Sequence, residues 1–167
     1  HTNRNNASHF ITEGFARHAR APLCCTGPVA AAIDLGVQFQ TIENGIEITG
    51  VGIEGFERSP SVLHAGNSGT ALRLLIGLTS RLDFISMIDG DASLRNRNHS
   101  TLLNALSPLG VTFSYGIEQE RLPILVHGPW IGSELTVDVS HSSQPYSSIL
   151  LSTCGIETPS IIKTVGD

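Results

Sequence analysis

A chain of 167 residues, 40% hydrophobic and 15% charged, has the length of one domain and enough apolar residues to build a core. Its net charge of −5 argues against nucleic acid and anionic membranes as partners, since both require a basic face. Three cysteines without a CxxC pair and seven scattered histidines argue against a disulfide framework and a metal centre; with no apolar run of bilayer length, a cytoplasmic protein is expected.

In chain order, a helical pattern carrying Phe10, Ile11 and Phe15 runs to about Ala19. Pro28 is expected to open a second helix over Val29 to Leu35, with Gly36 ending it. Val37, Phe39 and Ile42, then Asn44-Gly45, then Ile46 and Ile48 read as a hairpin turning on the Asn-Gly pair. The loop Gly66 to Thr70 enters a helix over Ala71 to Leu78, after which Phe84, Ile85, Met87 and Ile88 read as a buried strand ending at Asp89-Gly90-Asp91. A polar loop through Arg97 leads to the Leu102, Leu103 and Leu106 helix, which stops at Leu109-Gly110. Val111 and Phe113, then Leu122, Ile124 and Val126, read as paired strands, and Leu135, Val137 and Val139 as a further one. Ser142-Ser143-Gln144 caps a helix reaching about Cys154, and Ile161 and Ile162 open a last strand.

The order repeats. Leu35-Gly36-Val37 with Phe39 recurs as Leu109-Gly110-Val111 with Phe113, an offset of 110 − 36 = 74 residues, and Gly69 moved by 74 lands on Ser143. Such repetition predicts a pseudo-symmetric α/β domain made of copies of one unit, two complete and one partial. The three helix openings, Thr2-Asn3, Asn67 to Thr70 and Ser142 to Gln144, are all small and polar, and rotation of one unit onto the next would bring them to one surface.

Two of these stretches together have the chemistry of an anion site. Asn67, Ser68 and Thr70 are N-cap residue types, and Gly69 lets a ligand approach the backbone without a Cβ in the way. The helix dipole contributes only about 0.3–1 kcal/mol, whereas each charged hydrogen bond from arginine contributes about 1.5–3 kcal/mol. Arg73, Arg95 and Arg97 are the nearest source of such bonds, and the predominance of arginine over the single Lys163 suits planar capture of carboxylate or phosphate.

Taken together, Thr2 to Arg4 (TNR), Gly66 to Leu75 (GNSGTALRLL), Gly90 to Arg97 (GDASLRNR) and Ser142 to Gln144 (SSQ) resemble the 5-enolpyruvylshikimate-3-phosphate synthase family, including the separation 97 − 69 = 28 residues. The resemblance implies an enolpyruvyl transferase-like α/β (α+β) domain of βαβαββ-type units with pseudo-threefold symmetry, helices inside and sheets outside. It also implies transfer of the enolpyruvyl group of phosphoenolpyruvate to the 5-hydroxyl of shikimate 3-phosphate, with no metal and no cofactor.

Residue by residue, Arg4 matches the family's arginine for the shikimate carboxylate, and Ser142 and Ser143 match the pair that holds the 3-phosphate. Gln144 matches the glutamine between the two substrates, Gly69 the glycine lining the phosphoenolpyruvate pocket, and Arg97 the arginine on its phosphate. Gln144 and Arg97 are therefore the candidate catalytic residues, while Asn67, Thr70 and Arg73 match residues that support the loop. The family's lysine-serine pair would precede His1, and its acid-base residues come from a second domain. Residues 1–167 are thus expected to form a single, incomplete domain whose partner is that second domain, to be a monomer, and to be inactive alone. Asn98 stands where the family has proline, so an altered loop beside Arg97 is expected, and His141 and Pro145 are also unusual. UDP-N-acetylglucosamine enolpyruvyl transferase, which shares fold and chemistry, carries a reactive cysteine in the loop corresponding to Gly90 to Arg97, and none occurs here. A non-catalytic anion-binding module is the alternative of a different class.

Overall fold

The computed structural model describes residues 23–43, 45–154 and 159–166, with backbone only for 23–26. The expected helix ending near Ala19, Thr2-Asn3 and Arg4 lie outside these residues.

Two copies of one unit are evident. The first is helix α1 (Leu23–Asp34), the antiparallel hairpin β1 (Gln38–Ile42) and β2 (Gly45–Thr49), strand β3 (Leu63–His64), helix α2 (Gly69–Thr79) and strand β4 (Ile85–Asp89). After a short helix, α3 (Ala92–Arg95), the same order returns as helix α4 (Ser100–Leu106) with a 3-10 turn Ser107–Leu109, then hairpin β5 (Thr112–Tyr115) and β6 (Ile124–His127), strand β7 (Glu134–Asp138), helix α5 (Gln144–Ser152) and strand β8 (Ile161–Val165). In each copy the strands flanking the second helix are parallel: Leu63 pairs with Ile88, and Leu135 with Ile162. Gly36 and Gly110, the pair that marked the 74-residue offset, both end their helices with positive φ, +99° and +92°. That left-handed conformation is where glycine carries no steric penalty.

The copies are joined through a four-stranded sheet of order β3-β4-β6-β5, in which β4 of the first pairs antiparallel with β6 of the second. Neither unit could cover its own apolar face, and the shared core of Leu72, Ile76, Ile88, Leu102, Leu106, Ile124 and Ile149 shows the solution. Helices α2 and α5 cross inside that core. At the crossing, a Cβ on Gly77 would sit 2.4 Å from Ser152 Oγ and 2.5 Å from Ser148 Oγ, so the backbones meet at a distance only glycine permits.

Two local expectations are corrected. Pro28 lies inside α1 rather than at its start, because the helix begins at Leu23. The proline removes one N–H from the ladder, but tertiary contact holds the helix. A Cβ on Gly27 would fall 2.6 Å from the His64 carbonyl oxygen, so α1 is seated directly on the end of β3. Strand β4 is not buried on both faces: Ser86 and Ile88 point inward while Ile85 and Met87 face outward, because the helices cover only one side of this sheet. The hairpin forms as expected, with Gly45 paired with Ile42 as the first residue of β2; Asn44 lies outside the described residues.

Candidate anion-binding site

The site lies at the carboxyl ends of two parallel strands. Because β3 and β4 are parallel neighbours with His64 opposite Asp89, the loops that follow them leave on the same edge. They are tied together by Ala65 N–H donating to the Asp89 carbonyl (2.9 Å) and Asp91 N–H donating to the Gly66 carbonyl (2.9 Å). The two stretches singled out from sequence, 20 residues apart, thereby become one surface.

Each loop turns into a capped helix. Ser68, rather than Asn67 or Thr70, caps α2: its Oγ accepts the Ala71 N–H at 3.2 Å. Asp91 caps α3, its Oδ1 accepting the Leu94 N–H at 2.9 Å. The one-turn helix α3 separates the arginines of the second loop. Arg95 turns away and forms a two-point ion pair with Asp89, with Nε 2.9 Å from Oδ1 and Nη2 on Oδ2. It therefore leaves the group of available cations. Arg97 turns back, its Nη2 donating to Ser93 Oγ at 3.2 Å.

Arg73 and Arg97 meet over Gly69. A Cβ there would lie 3.1 Å from Arg73 Nη1, a tight approach, and 3.5 Å from Arg97 Nη1, an ordinary contact, so the missing side chain leaves room for the Arg73 guanidinium over the helix opening. Arg73 Nη1 also donates to the Gly69 carbonyl at 3.0 Å and to Gln144 Oε1. That bond joins the opening of α2 to the opening of α5. It also assigns the Gln144 amide, placing oxygen on the arginine and leaving the NH2 as a donor. Among the described residues neither Arg73 nor Arg97 has a carboxylate partner. Burial, and then the charge of Arg97, push the Arg73 pKa down, the signature of a cation pair lacking its counter-ion.

Beside this pair, Ser142 Oγ accepts the Gln144 N–H at 3.2 Å. Ser143 is the N-cap of α5 by position, yet its exposed side chain makes no capping bond. Both hydroxyls thus keep an O–H to donate; in the first turn of α5 the Gln144 N–H is taken by Ser142 Oγ, Pro145 has none and the Ser147 N–H goes to the Ser143 carbonyl, which leaves the Tyr146 N–H. Structure also explains the odd residue next to Arg97. Asn98 Oδ1 accepts the Ser100 N–H at 2.7 Å and its Nδ2 donates to Glu120 Oε2 at 3.1 Å, so asparagine caps the start of α4 and holds the loop without proline. Of the candidates, Gly69, Arg73, Arg97, Ser142, Ser143 and Gln144 come together; Asn67 and Thr70 lie in the loop and the first turn of α2 and make no side-chain hydrogen bond.

Comparison with known proteins places the chain in a family. The family described as EPSP synthase (3-phosphoshikimate 1-carboxyvinyltransferase) matches residues 27–164. The chain belongs to the EPSP synthase family. The 3-phosphoshikimate 1-carboxyvinyltransferase of Herpetosiphon aurantiacus is 33% identical over 128 residues, 76% of this chain and 30% of the relative. That of Chloroflexus aggregans is 34% identical over 137 residues, 81% of this chain and 31% of the relative. The solved EPSP synthase of Acinetobacter baumannii superposes with a TM-score of 0.66 at 34% identity, over 75% of this chain and 30% of that one. The chain therefore spans about 30% of the length of these relatives. Among the described residues no helix is long and apolar enough to cross a membrane, and no group of three His, Cys, Asp or Glu is placed to hold a metal ion.

Asp89 had no assigned role from sequence. Its carboxylate answers Arg95, receives the Gly90 N–H at 2.8 Å, and so frames the loop that delivers Arg97. Burial pulls its pKa up, but the Arg95 hydrogen bond, the Gly90 N–H and the charges of Arg95 and His64 outweigh it and leave the pKa lowered. An acidic residue at a strand end is too common for its spacing alone to have revealed this.

Proposed function

We propose that this chain supplies the anion-binding half of an enzyme that transfers the enolpyruvyl group of phosphoenolpyruvate to the 5-hydroxyl of shikimate 3-phosphate. The observation that carries the reading is the pair Arg73 and Arg97, without a counter-ion among the described residues and set over Gly69, with Gln144 bonded to Arg73 on one side and to Ser142 on the other. In this reading Arg97 receives the phosphoenolpyruvate phosphate over Gly69. Ser142, Ser143 and the amino end of α5 receive the 3-phosphate, Arg4 the shikimate carboxylate, and the Gln144 NH2 lies between the substrates.

The chemistry fits such a site. The 5-hydroxyl oxygen forms a bond to C2 of phosphoenolpyruvate as C3 takes a proton; the tetrahedral adduct then loses inorganic phosphate and the C3 proton, which restores the vinyl group. Two polyanions must be held side by side, so fixed cations and N–H donors are the main requirement. In this reading Arg73, Arg97 and the Gln144 NH2 supply them. The proton transfers need a placed acid and base, which we assign to the part of the family outside the matched third. Turnover accordingly requires that second domain, and the chain alone is inactive. A monomeric cytoplasmic enzyme without metal or cofactor belongs to the same reading.

Titration of shikimate 3-phosphate and of phosphoenolpyruvate into the chain, followed by amide NMR, tests it. Saturable shifts are expected at Ser142 to Gln144 with the first ligand and at Gly69 and Arg97 with the second. Ser143→Ala and Arg97→Ala should each weaken their own ligand, Arg97→Ala by about 10–150-fold if one charged hydrogen-bonded contact of about 1.5–3 kcal/mol is lost. Ligand responses that are unchanged in both variants would refute the assignment.

A further inference from the structure

Arg97 is exposed, and among the described residues the hydrogen bond that its side chain makes is the one to Ser93 Oγ in the same loop. A guanidinium on a loosely held stem loses conformational freedom each time it binds, so what fixes the backbone beneath it bears on affinity.

That backbone is bracketed from two sides. From within the loop, the Leu94 carbonyl accepts the Arg97 N–H at 3.1 Å and lies 3.2 Å from His99 Nε2. From the neighbouring hairpin comes Glu120, in the loop 116–123 between β5 and β6. Its carbonyl accepts the His99 N–H at 3.0 Å, and its Oε2 accepts an N–H of Asn98 Nδ2 at 3.1 Å. The two residues that follow Arg97 are thus tied, one by its backbone and one by its side chain, to a single residue of another element.

Glu120 is also the one non-glycine residue with positive φ among the described residues, at +61°. In that conformation Cβ crowds the backbone, and an L residue keeps it only where its surroundings hold it there. A loop that had only to connect β5 with β6 would be served better by glycine, which adopts such angles freely. Here the left-handed residue directs both its carbonyl and its carboxylate at the loop that carries Arg97.

We propose that Glu120 is a positioning residue for Arg97, clamping the loop through Asn98 and His99 so that the guanidinium is presented over Gly69. It touches no ligand itself. The consequence for phosphoenolpyruvate rests on the reading that Arg97 receives its phosphate; the clamp on the loop does not. Charge alone predicts the opposite sign, since removing a carboxylate near an anion site strengthens anion binding. A weaker site in Glu120→Ala therefore reports lost positioning.

The test has two arms, both on the 167-residue chain. Without ligand, NMR relaxation of the Arg97 side-chain Nε–H and the Asn98 amide should show lower order in Glu120→Ala. Glu120→Gln, which keeps an oxygen for Asn98, should match wild type. Unchanged order at Arg97 in Glu120→Ala overturns the proposal. With phosphoenolpyruvate, Glu120→Ala should bind about 3–10-fold more weakly, the equivalent of one hydrogen bond, and Glu120→Gln within about twofold of wild type. Glu120→Gly, which accepts φ +61° without a Cβ, should melt within a few degrees of wild type and still loosen Arg97; order lost only in variants that melt much lower overturns the proposal. Arg97→Ala separates the two readings. If it binds phosphoenolpyruvate as wild type does, the enolpyruvyl-transfer reading falls and the ligand-free arm alone decides the clamp. If it binds weakly while Glu120→Ala binds normally, or if Glu120→Ala and Glu120→Gln lose affinity equally, the positioning role falls and the enolpyruvyl-transfer reading stands.

Discussion

Two glycines of α2, Gly69 and Gly77, should respond in opposite ways to the same added methyl group. Within a helix, Gly→Ala is by itself favourable by up to about 1 kcal/mol. At Gly77 the new Cβ meets Ser152 Oγ at 2.4 Å, Ser148 Oγ at 2.5 Å and the Ser148 carbonyl oxygen at 3.0 Å. Neither hydroxyl is free to move: Ser148 Oγ donates to the Arg73 carbonyl and Ser152 Oγ to the Ser148 carbonyl at 2.7 Å. Overpacking costs about 1–3 kcal/mol, and two lost hydrogen bonds add about 0.5–1.5 kcal/mol each. After subtracting the helix gain, Gly77→Ala should destabilise by roughly 1–5 kcal/mol, centred near 3. For a domain of this size the central value corresponds to a fall in Tm of roughly 6–12 °C.

At Gly69 the nearest atoms are the ends of the flexible Arg73 and Arg97 side chains, at 3.1 and 3.5 Å, and φ is not positive. Gly69→Ala should therefore melt within about 1 kcal/mol of wild type while binding phosphoenolpyruvate more weakly. Thermal unfolding by circular dichroism checks both variants. A Gly77→Ala protein that melts at or above wild type would refute the packing argument, as would a Gly69→Ala protein that loses as much. Adding Ser148→Ala and Ser152→Ala to Gly77→Ala should recover part of the loss, though not all, because the Ser148 carbonyl remains.

Arg73→Lys should weaken anion binding by about 10–150-fold with little change in Tm, because an ammonium cannot bond Gly69 and Gln144 while keeping a second face for the ligand; calorimetric titration of phosphoenolpyruvate reads the effect. The Asp89 pKa is lowered in the folded state, so its contribution is present above the unfolded carboxylate range and is lost as pH falls below about 4. Unfolding in urea from pH 6 to pH 2 should show a shallower acid loss in Asp89→Asn than in wild type, and identical slopes would refute the assignment. Ser86, at 3% exposure, carries the one buried side-chain hydroxyl without a partner among the described residues, so Ser86→Ala should be neutral or stabilising by up to about 1 kcal/mol in the same melts; a clear loss would contradict the unpaired state.

Much of the site could be read from residue types at fixed spacing. The Gly66 to Thr70 loop had to open a helix because its cap residues precede an apolar periodic stretch, and the glycine pair 36 and 110 announced the repeat because helix endings of this kind favour left-handed backbone. Other readings failed for physical reasons. Pro28 looked like a helix start because local propensity says so, but the seat of Gly27 on β3 is a long-range contact that propensity does not contain. By residue type alone Arg95 and Arg97 were equal sources of positive charge, and only the family resemblance singled out Arg97; one turn of α3 and the carboxylate of Asp89 send Arg95 into a structural ion pair and turn Arg97 back toward Ser93 and Gly69.

The sequence by itself determined the kind of chemistry, an arginine-rich anion site at helix openings, and the repetition of the unit that carries it. These are local properties, written in caps, glycines and apolar period. Only tertiary structure decided which groups meet: the parallel pairing of β3 with β4 puts two loops on one edge, and the close crossing of α2 and α5 brings Arg73 to Gln144. Convergence of residues 71 positions apart depends on how sheets and helices pack around a shared core, and burial, unlike capping, is a property of the whole chain.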